Sequence, residues 1–389
     1  MTHDISNEFS IQTRLLHHKH KTDPSSGAVS VAIQPASTFH QEGLDDFGEF
    51  DYARSGNPTR QALEETFAEL ENGTAAYAFA SGMAAISTTF MLLSAGDHLV
   101  ITDDVYGGTF RFTTEVLTRL GIEHTFVDMT NVDEVKNAIR PNTKMIHMET
   151  PSNPTMKITP IRELVSLAKE HNCLTVLDNT FMTPVLQRPL DLGVDVVVHS
   201  ATKFIGGHSD VVAGLAVVKD PELASRLKFL QNSFGAILGP NDCWLILRGM
   251  KTLHTRMEAS MKSAEMIAQW LTEQSAVKYV YYPGLKGHPG YEINESQSDG
   301  PGAVLSFELA DREAVKKVVD AVEIPVFAVS LGAVESILSY PAKMSHAAMP
   351  PDERAKRGIT DGLLRLSVGL EKPEDLISDF KRAFETLVE

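Results

Sequence analysis

Cysteine is scarce in this 389-residue chain, which has only Cys173 and Cys243. Two thiols without metal-like spacing exclude a disulfide framework and fit a reducing compartment. Positive charge is also short, with 35 Lys and Arg against 51 Asp and Glu and a formal charge of −16. Such an acidic balance argues against a phosphate backbone as partner, so no nucleic acid is expected. Long hydrophobic runs are missing as well. No stretch approaches the roughly 20 apolar residues that span a bilayer, and no membrane partner is expected. The first eight residues lack the basic start and apolar stretch of a secretion signal. The expectation is therefore a soluble, cytoplasmic protein. There are no internal repeats and no low-complexity tracts, and the place where a G-x-G-x-x-G would open a dinucleotide-binding helix lacks one. His17-His18-Lys19-His20 has no carboxylate or cysteine at ligand spacing, so no metal is expected.

What is present is ordinary globular composition, 43% hydrophobic and 22% charged, ample for a large core. Residues 1–56 show little periodicity and read as an extended arm able to reach another subunit. From Asn57-Pro58 the chain becomes regular, with a cap and a first-turn proline, then Leu63, Phe67 and Leu70 at helical spacing. Short apolar runs then alternate with helical stretches, for example His98–Thr102, Leu174–Asp178 and Val194–His199. A helix from about Pro160, capped by Thr159, precedes Leu174–Asp178. That alternation predicts an α/β fold with a mostly parallel sheet covered on both faces over 57–250. Beyond 250 the rhythm changes to long helices and few strands, predicting a smaller α+β C-terminal domain over 251–389.

Several residues in this frame carry chemistry. Lys203, in Ser200-Ala201-Thr202-Lys203-Phe204-Ile205-Gly206-Gly207, follows an apolar strand. A lysine at a buried strand end is costly. It is either a loop lysine reaching solvent or an amine that forms a Schiff base with a cofactor carbonyl. Asp178 closes the run Leu174–Asp178, where α/β sheets place functional groups. It either caps the next loop or keeps a pyridine nitrogen protonated, so that the ring can draw charge from a substrate carbon. Ala80-Ser81-Gly82-Met83-Ala84-Ala85 lies between a strand and a helix, where small residues permit tight packing or an anion at the helix start. Tyr106, followed by Gly107-Gly108, is a core aromatic or a ring stacked on a planar group. Arg365 lies in the otherwise apolar Leu363–Val368 and must meet an anion, either an internal carboxylate or a substrate carboxylate held bidentately.

Together these segments resemble the Cys/Met-metabolism family of pyridoxal-phosphate enzymes. The resemblance spans essentially the whole chain and is carried by Tyr52-Ala53-Arg54-Ser55-Gly56-Asn57-Pro58-Thr59, Glu149-Thr150-Pro151-Ser152-Asn153-Pro154, Asp178-Asn179-Thr180 and Ser200–Asp210. It implies an aspartate-aminotransferase-like fold (fold type I) and pyridoxal 5'-phosphate on Lys203. It further implies that Asp178 pairs with the pyridine nitrogen, that Tyr106 stacks on the ring, and that Gly82, Met83, Ser200 and Thr202 hold the phosphate. Tyr52 and Arg54 would reach the phosphate of a neighbouring subunit, making a dimer the smallest complete unit and a tetramer the usual assembly. Asn153, Ser330 and Arg365 would orient the carboxylate of a small amino-acid substrate, or the cofactor. Family members acting at Cγ generally carry a glutamate in an Ala-Glu-Ser-Leu-Gly-Gly segment. Here Ala328-Val329-Ser330-Leu331-Gly332-Ala333 has Val329 at that place. Valine there, and Ser345-His346-Ala347-Ala348-Met349-Pro350, resemble the cystathionine β-lyase branch, which serves methionine biosynthesis. The γ-synthase, γ-lyase and O-acylhomoserine sulfhydrylase branches are the alternative.

Overall fold

The computed structural model describes residues 9–17, 26–347 and 349–387. His18, Lys19 and His20 of the histidine cluster, Ala348 of the Ser345–Pro350 segment and the first eight residues lie outside them. Twelve strands follow one another in the described residues. The first seven are β1 (Ala75–Phe79), β2 (His98–Thr102), β3 (Glu123–Val127), β4 (Thr143–Glu149), β5 (Leu174–Asp178), β6 (Val196–Ser200) and β7 (Gly214–Val218). The rest are β8 (Tyr279–Tyr281), β9 (Val304–Glu308), β10 (Val326–Phe327), β11 (Ile337–Ser339) and β12 (Leu363–Ser367). Two compact units result. One holds the chain up to Leu92 together with Arg188–His254, and the other holds Leu93–Gln187 together with the chain from Thr255 onward.

In the first unit β7 pairs antiparallel with both β1 and β6. The helix Pro58–Leu70 begins as its sequence predicts, with the Asn57 side chain accepting the N–H groups of Thr59 and Arg60. Such a cap stabilises a helix by ~1 kcal/mol. Its apolar stripe, Leu63, Phe67 and Leu70, is buried. The arm is less featureless than its composition suggests. Ile11–Leu16 is a helix, and its buried Arg14 donates to the carbonyl of Glu69. Six residues are under two turns, too short for a periodic signal.

In the second unit β3, β2, β4 and β5 are parallel neighbours in that order. Every residue of β2 is buried, as are Thr175 to Asp178 of β5. Unbroken burial along a strand means both sheet faces are covered, as parallel sheets require. The helix Ile161–Glu170 precedes β5, but Thr159 does not cap it. Pro160 occupies the cap position and offers no side-chain acceptor. The Gln297 side chain, distant in sequence, accepts from Ile161 N–H and donates to the Thr159 carbonyl.

The same unit carries a five-stranded sheet in the order β10-β11-β12-β9-β8. The sequence predicts few strands here, yet five form. β8 lies within the expected run Val277–Tyr282, whereas β10 and β11 are two and three residues long, too short for a period-two pattern to register. The sheet's apolar face packs with three helices, Leu253–Thr272, Arg312–Ala321 and Pro373–Glu385, and Phe307, Leu364, Leu366, Leu271 and Phe380 are all fully buried. Each such side chain is worth ~1.5–3 kcal/mol relative to exposure. The rings of Phe307 and Phe380 meet edge to face at 5.9 Å. Among the described residues no helix is long and apolar enough to cross a membrane.

Candidate active site

In the first unit, the strand-to-helix turn after β1 and the loop after β6 come together. Ser81 caps the nine-residue helix Gly82–Phe90 by accepting the N–H of Ala84. The first N–H groups of that helix, those of Gly82 and Met83 among them, lie at the positive end of its dipole. The turn is pressed onto the end of β6, since a Cβ on Gly82 would stand 2.8 Å from Ser200 Cβ and 3.0 Å from Ser200 Cα. A Cβ on Gly214 would fall on the Ser81 carbonyl. Thr202 binds the start of β7 through its hydroxyl, which accepts the Ala213 N–H at 3.0 Å and donates to the Ala213 carbonyl at 3.2 Å. Lys203 N–H donates to the Ser200 carbonyl, and the residue is half-buried. Gly82, Met83, Ser200, Thr202 and Lys203 thus belong to one local structure. Tyr52 and Arg54 lie on the arm. The guanidinium lies 5.5 Å from the tyrosine ring centroid and donates to the side chain and carbonyl of Asn232. Tyr52 is exposed.

In the second unit the carboxyl ends of β4 and β5 stand side by side, and that of β4 reaches Tyr106. Asp178, buried, has Oδ1 accepting the N–H and hydroxyl of Thr180 at 3.0 and 2.5 Å. Glu149 stands beside it in register, and its Oε2 accepts the Tyr106 N–H at 3.0 Å. Burial, then the Asp178 charge, pushes the Glu149 carboxyl well above its usual range. Tyr106 precedes a helix starting at Gly107, where a Cβ would fall on the Ser345 carbonyl oxygen. Glycine at 107 is what lets the Ser345–His346 segment lie against Tyr106.

Arg365 on β12 is buried among neutral acceptors rather than carboxylates. It donates to Asn153 Oδ1 at 2.8 Å, the Ser330 carbonyl at 2.7 Å and Ser339 Oγ at 3.2 Å. Its Nε has no hydrogen-bond partner. Burial pushes the guanidinium down to about 10, against opposing effects of Tyr106 and Glu149. Ser330 holds a φ of +89°, a left-handed value costly to a residue with a side chain. The bond from Arg365 holds its carbonyl in that place. The three residues expected to orient a carboxylate therefore form one cluster, and the buried cation has an unused donor.

Three residues near these groups received no role from the sequence. Glu149 was legible as a motif position and as a carboxylate closing a strand, but its register with Asp178 was not. Asp104, fully buried, accepts from the hydroxyls of Ser152 and Thr155 and so fixes the loop carrying Asn153. His346 Nδ1 meets Ser345 Oγ at 2.9 Å, and burial, then Arg365, pushes its imidazole down to about 4. Nothing local in sequence announces either.

These arrangements fit pyridoxal phosphate. The N-terminus of the nine-residue helix Gly82–Phe90 suits a phosphate, and the unsatisfied Nε of buried Arg365 suits a substrate carboxylate. Comparison with known proteins bears on the same point. A family model described as Cys/Met metabolism PLP-dependent enzyme matches residues 12–385. The chain is 65% identical over 379 residues to a protein of Bacillus subtilis (strain 168) named cystathionine beta-lyase MetC, covering 97% of each. It is 50% identical to cystathionine gamma-lyase of the same organism, covering 97% of this chain and 99% of that one. The crystal structure of cystathionine gamma-lyase from Lactobacillus plantarum complexed with L-serine superposes with a TM-score of 0.94 at 46% identity, covering 97% of this chain and 99% of that chain.

Proposed function

The chain belongs to the Cys/Met metabolism PLP-dependent enzymes, and on that premise we propose that it is a carbon–sulfur lyase that splits L-cystathionine at Cβ. Cystathionine and water give homocysteine, pyruvate and ammonia. The observation that carries this reading is the 65% identity to a cystathionine beta-lyase over 97% of both chains. Val329, where Cγ-acting relatives carry glutamate, agrees with it.

Bound pyridoxal phosphate supplies an electron sink for charge developing at the substrate Cα. The chain's own residues supply the rest. Lys203 would hold the cofactor, and its amine, once free, would take the Cα proton. Asp178 would pair with the pyridine nitrogen, its carboxylate fixed by its two bonds from Thr180. Tyr106 would cover the ring. Gly82, Met83, Ser200 and Thr202 would receive the phosphate. Arg365 offers Nε to the substrate carboxylate, with Asn153 and Ser330 fixing the direction of its plane. Homocysteine thiolate then leaves from Cβ, and one molecule of water completes the products.

On this reading 57–250 form the cofactor-binding domain, 251–389 a smaller domain, and 1–56 an arm toward a second copy of the chain. Exposed Leu44, Phe47 and Tyr52 on the arm support a homo-oligomer. Tyr52 and Arg54 would serve a neighbour's phosphate, in a dimer that pairs into a tetramer. The cytoplasm is the proposed location. Incubation with L-cystathionine decides the reaction, since pyruvate with homocysteine is expected. Formation of 2-oxobutyrate and cysteine instead would assign cleavage to Cγ and overturn the proposal.

A further inference from the structure

Two carboxyl groups stand together at the ends of adjacent parallel strands. Glu149 closes β4, Asp178 closes β5, and the register pairs them directly, so their backbones are about 4.8 Å apart. They are 6% and 8% exposed. Their surroundings differ. Asp178 accepts two hydrogen bonds at one oxygen from Thr180, one of them from a hydroxyl at 2.5 Å. Glu149 accepts the Tyr106 backbone N–H. Arg365 is attracted electrostatically by Glu149, but its terminal nitrogens go to Asn153, Ser330 and Ser339. No salt bridge joins it to Glu149 among the described residues.

We propose that Glu149 is a positioning residue for Tyr106, acting as a neutral hydrogen-bond acceptor that ties the start of the Gly107–Phe112 helix to the strand beside β5 and leaves the pair's negative charge to Asp178. The inference rests on the reading in which Tyr106 and Asp178 face the cofactor ring.

The electrostatics agree with the geometry. Two like charges in a dry site cannot both persist at low cost. Burial is the largest influence raising the Glu149 carboxyl, Asp178 the next, and Asp104 acts in the same direction. The N–H groups of Tyr106 and Asn153 oppose this only in part. A carboxyl that accepts backbone N–H groups but carries no charge avoids the cost of a second buried anion beside Asp178. Glutamine has the same shape and acceptor, whereas leucine has neither.

The test uses the holoenzyme and its Glu149→Gln and Glu149→Leu variants. Visible circular dichroism reads the seating of the bound cofactor, and titration of pyridoxal phosphate into stripped protein reads its affinity. Infrared spectroscopy reads protonated carboxyl groups. Glu149→Leu is expected to weaken cofactor affinity about 10-fold, the scale of one buried hydrogen bond, and to diminish the dichroic band. Glu149→Gln is expected to restore both to within about 3-fold of the parent protein. A protonated-carboxyl band present in the parent at neutral pH is expected to be missing from Glu149→Gln. Equal damage by Gln and Leu, or an infrared band that Glu149→Gln leaves unchanged, overturns the inference. If Leu impairs folding, the Gln variant and the infrared arm still decide. A parent protein that binds no pyridoxal phosphate would sink the functional reading instead, while the infrared measurement, made on the protein alone, would still report the charge on Glu149.

Discussion

Arg365 donates to Asn153 Oδ1 at 2.8 Å across 212 residues of sequence. The contact ties β12 to the loop after β4. It also explains how an arginine survives in an apolar strand without a carboxylate. Neutral acceptors satisfy Nη1 and Nη2 and leave Nε for a ligand.

Replacing Arg365 by Lys keeps the charge but removes the fork that reaches Asn153 and Ser330 together. Loss of one charge-assisted hydrogen bond, ~1.5–3 kcal/mol, lowers kcat/KM for L-cystathionine by about 10- to 150-fold. Steady-state kinetics check this, and an unchanged kcat/KM would remove Arg365 from the substrate site.

Substituting Lys203 with Ala removes the amine that would hold the cofactor. The visible absorption of the protein–cofactor linkage is expected to vanish while the fold persists by far-UV circular dichroism. A spectrum identical to that of the parent refutes the assignment of Lys203.

Gly82→Ala places a methyl 2.8 Å from Ser200 Cβ and 3.0 Å from Ser200 Cα. Backbone cannot yield as a flexible side chain would, so the helix start must move. Overpacking of this kind costs ~1–3 kcal/mol. The expected outcome is a lower melting temperature together with weaker pyridoxal-phosphate binding. Unaltered cofactor affinity in a folded variant would argue that Gly82 is a packing glycine only.

His98 is buried between the hydroxyls of Thr143 and Thr125. Burial, then Arg140, pushes its imidazole down to about 4, against an ordinary value near ~6.5. Between those values the unfolded chain binds a proton that the folded chain refuses. Stability from this group is therefore complete above about pH 6.5 and lost as pH falls toward about 4. His98→Gln keeps a polar group for the threonines and removes the titration. Within that window its stability should depend on pH less steeply, by up to one proton or about 1.4 kcal/mol per pH unit. Urea unfolding at a series of pH values measures the slope, and equal slopes would contradict the assignment.

Much of this was legible along the chain. The expected strands His98–Thr102 and Leu174–Asp178 form with the same bounds, because buried parallel strands are continuous apolar runs whose signal is local. The Asn57 cap is equally local. Thr159 fails as a cap because the partner that satisfies that helix end, Gln297, lies in another part of the chain. The short strands β10 and β11 escape notice for a related reason. Two or three residues extend only because neighbours hydrogen-bond to them.

The sequence by itself determined the family, the cofactor and the candidate residues, since each motif reports the chemistry of a few adjacent side chains. It also separated Val329 from the glutamate of Cγ-acting relatives. Only the tertiary structure decided that Glu149 stands beside Asp178 and holds the Tyr106 N–H, or that Arg365 keeps an unused donor. Those facts depend on strand register and on contacts between distant segments. Burial then sets the charges, because a carboxyl or a guanidinium out of water answers to whatever the fold has placed next to it.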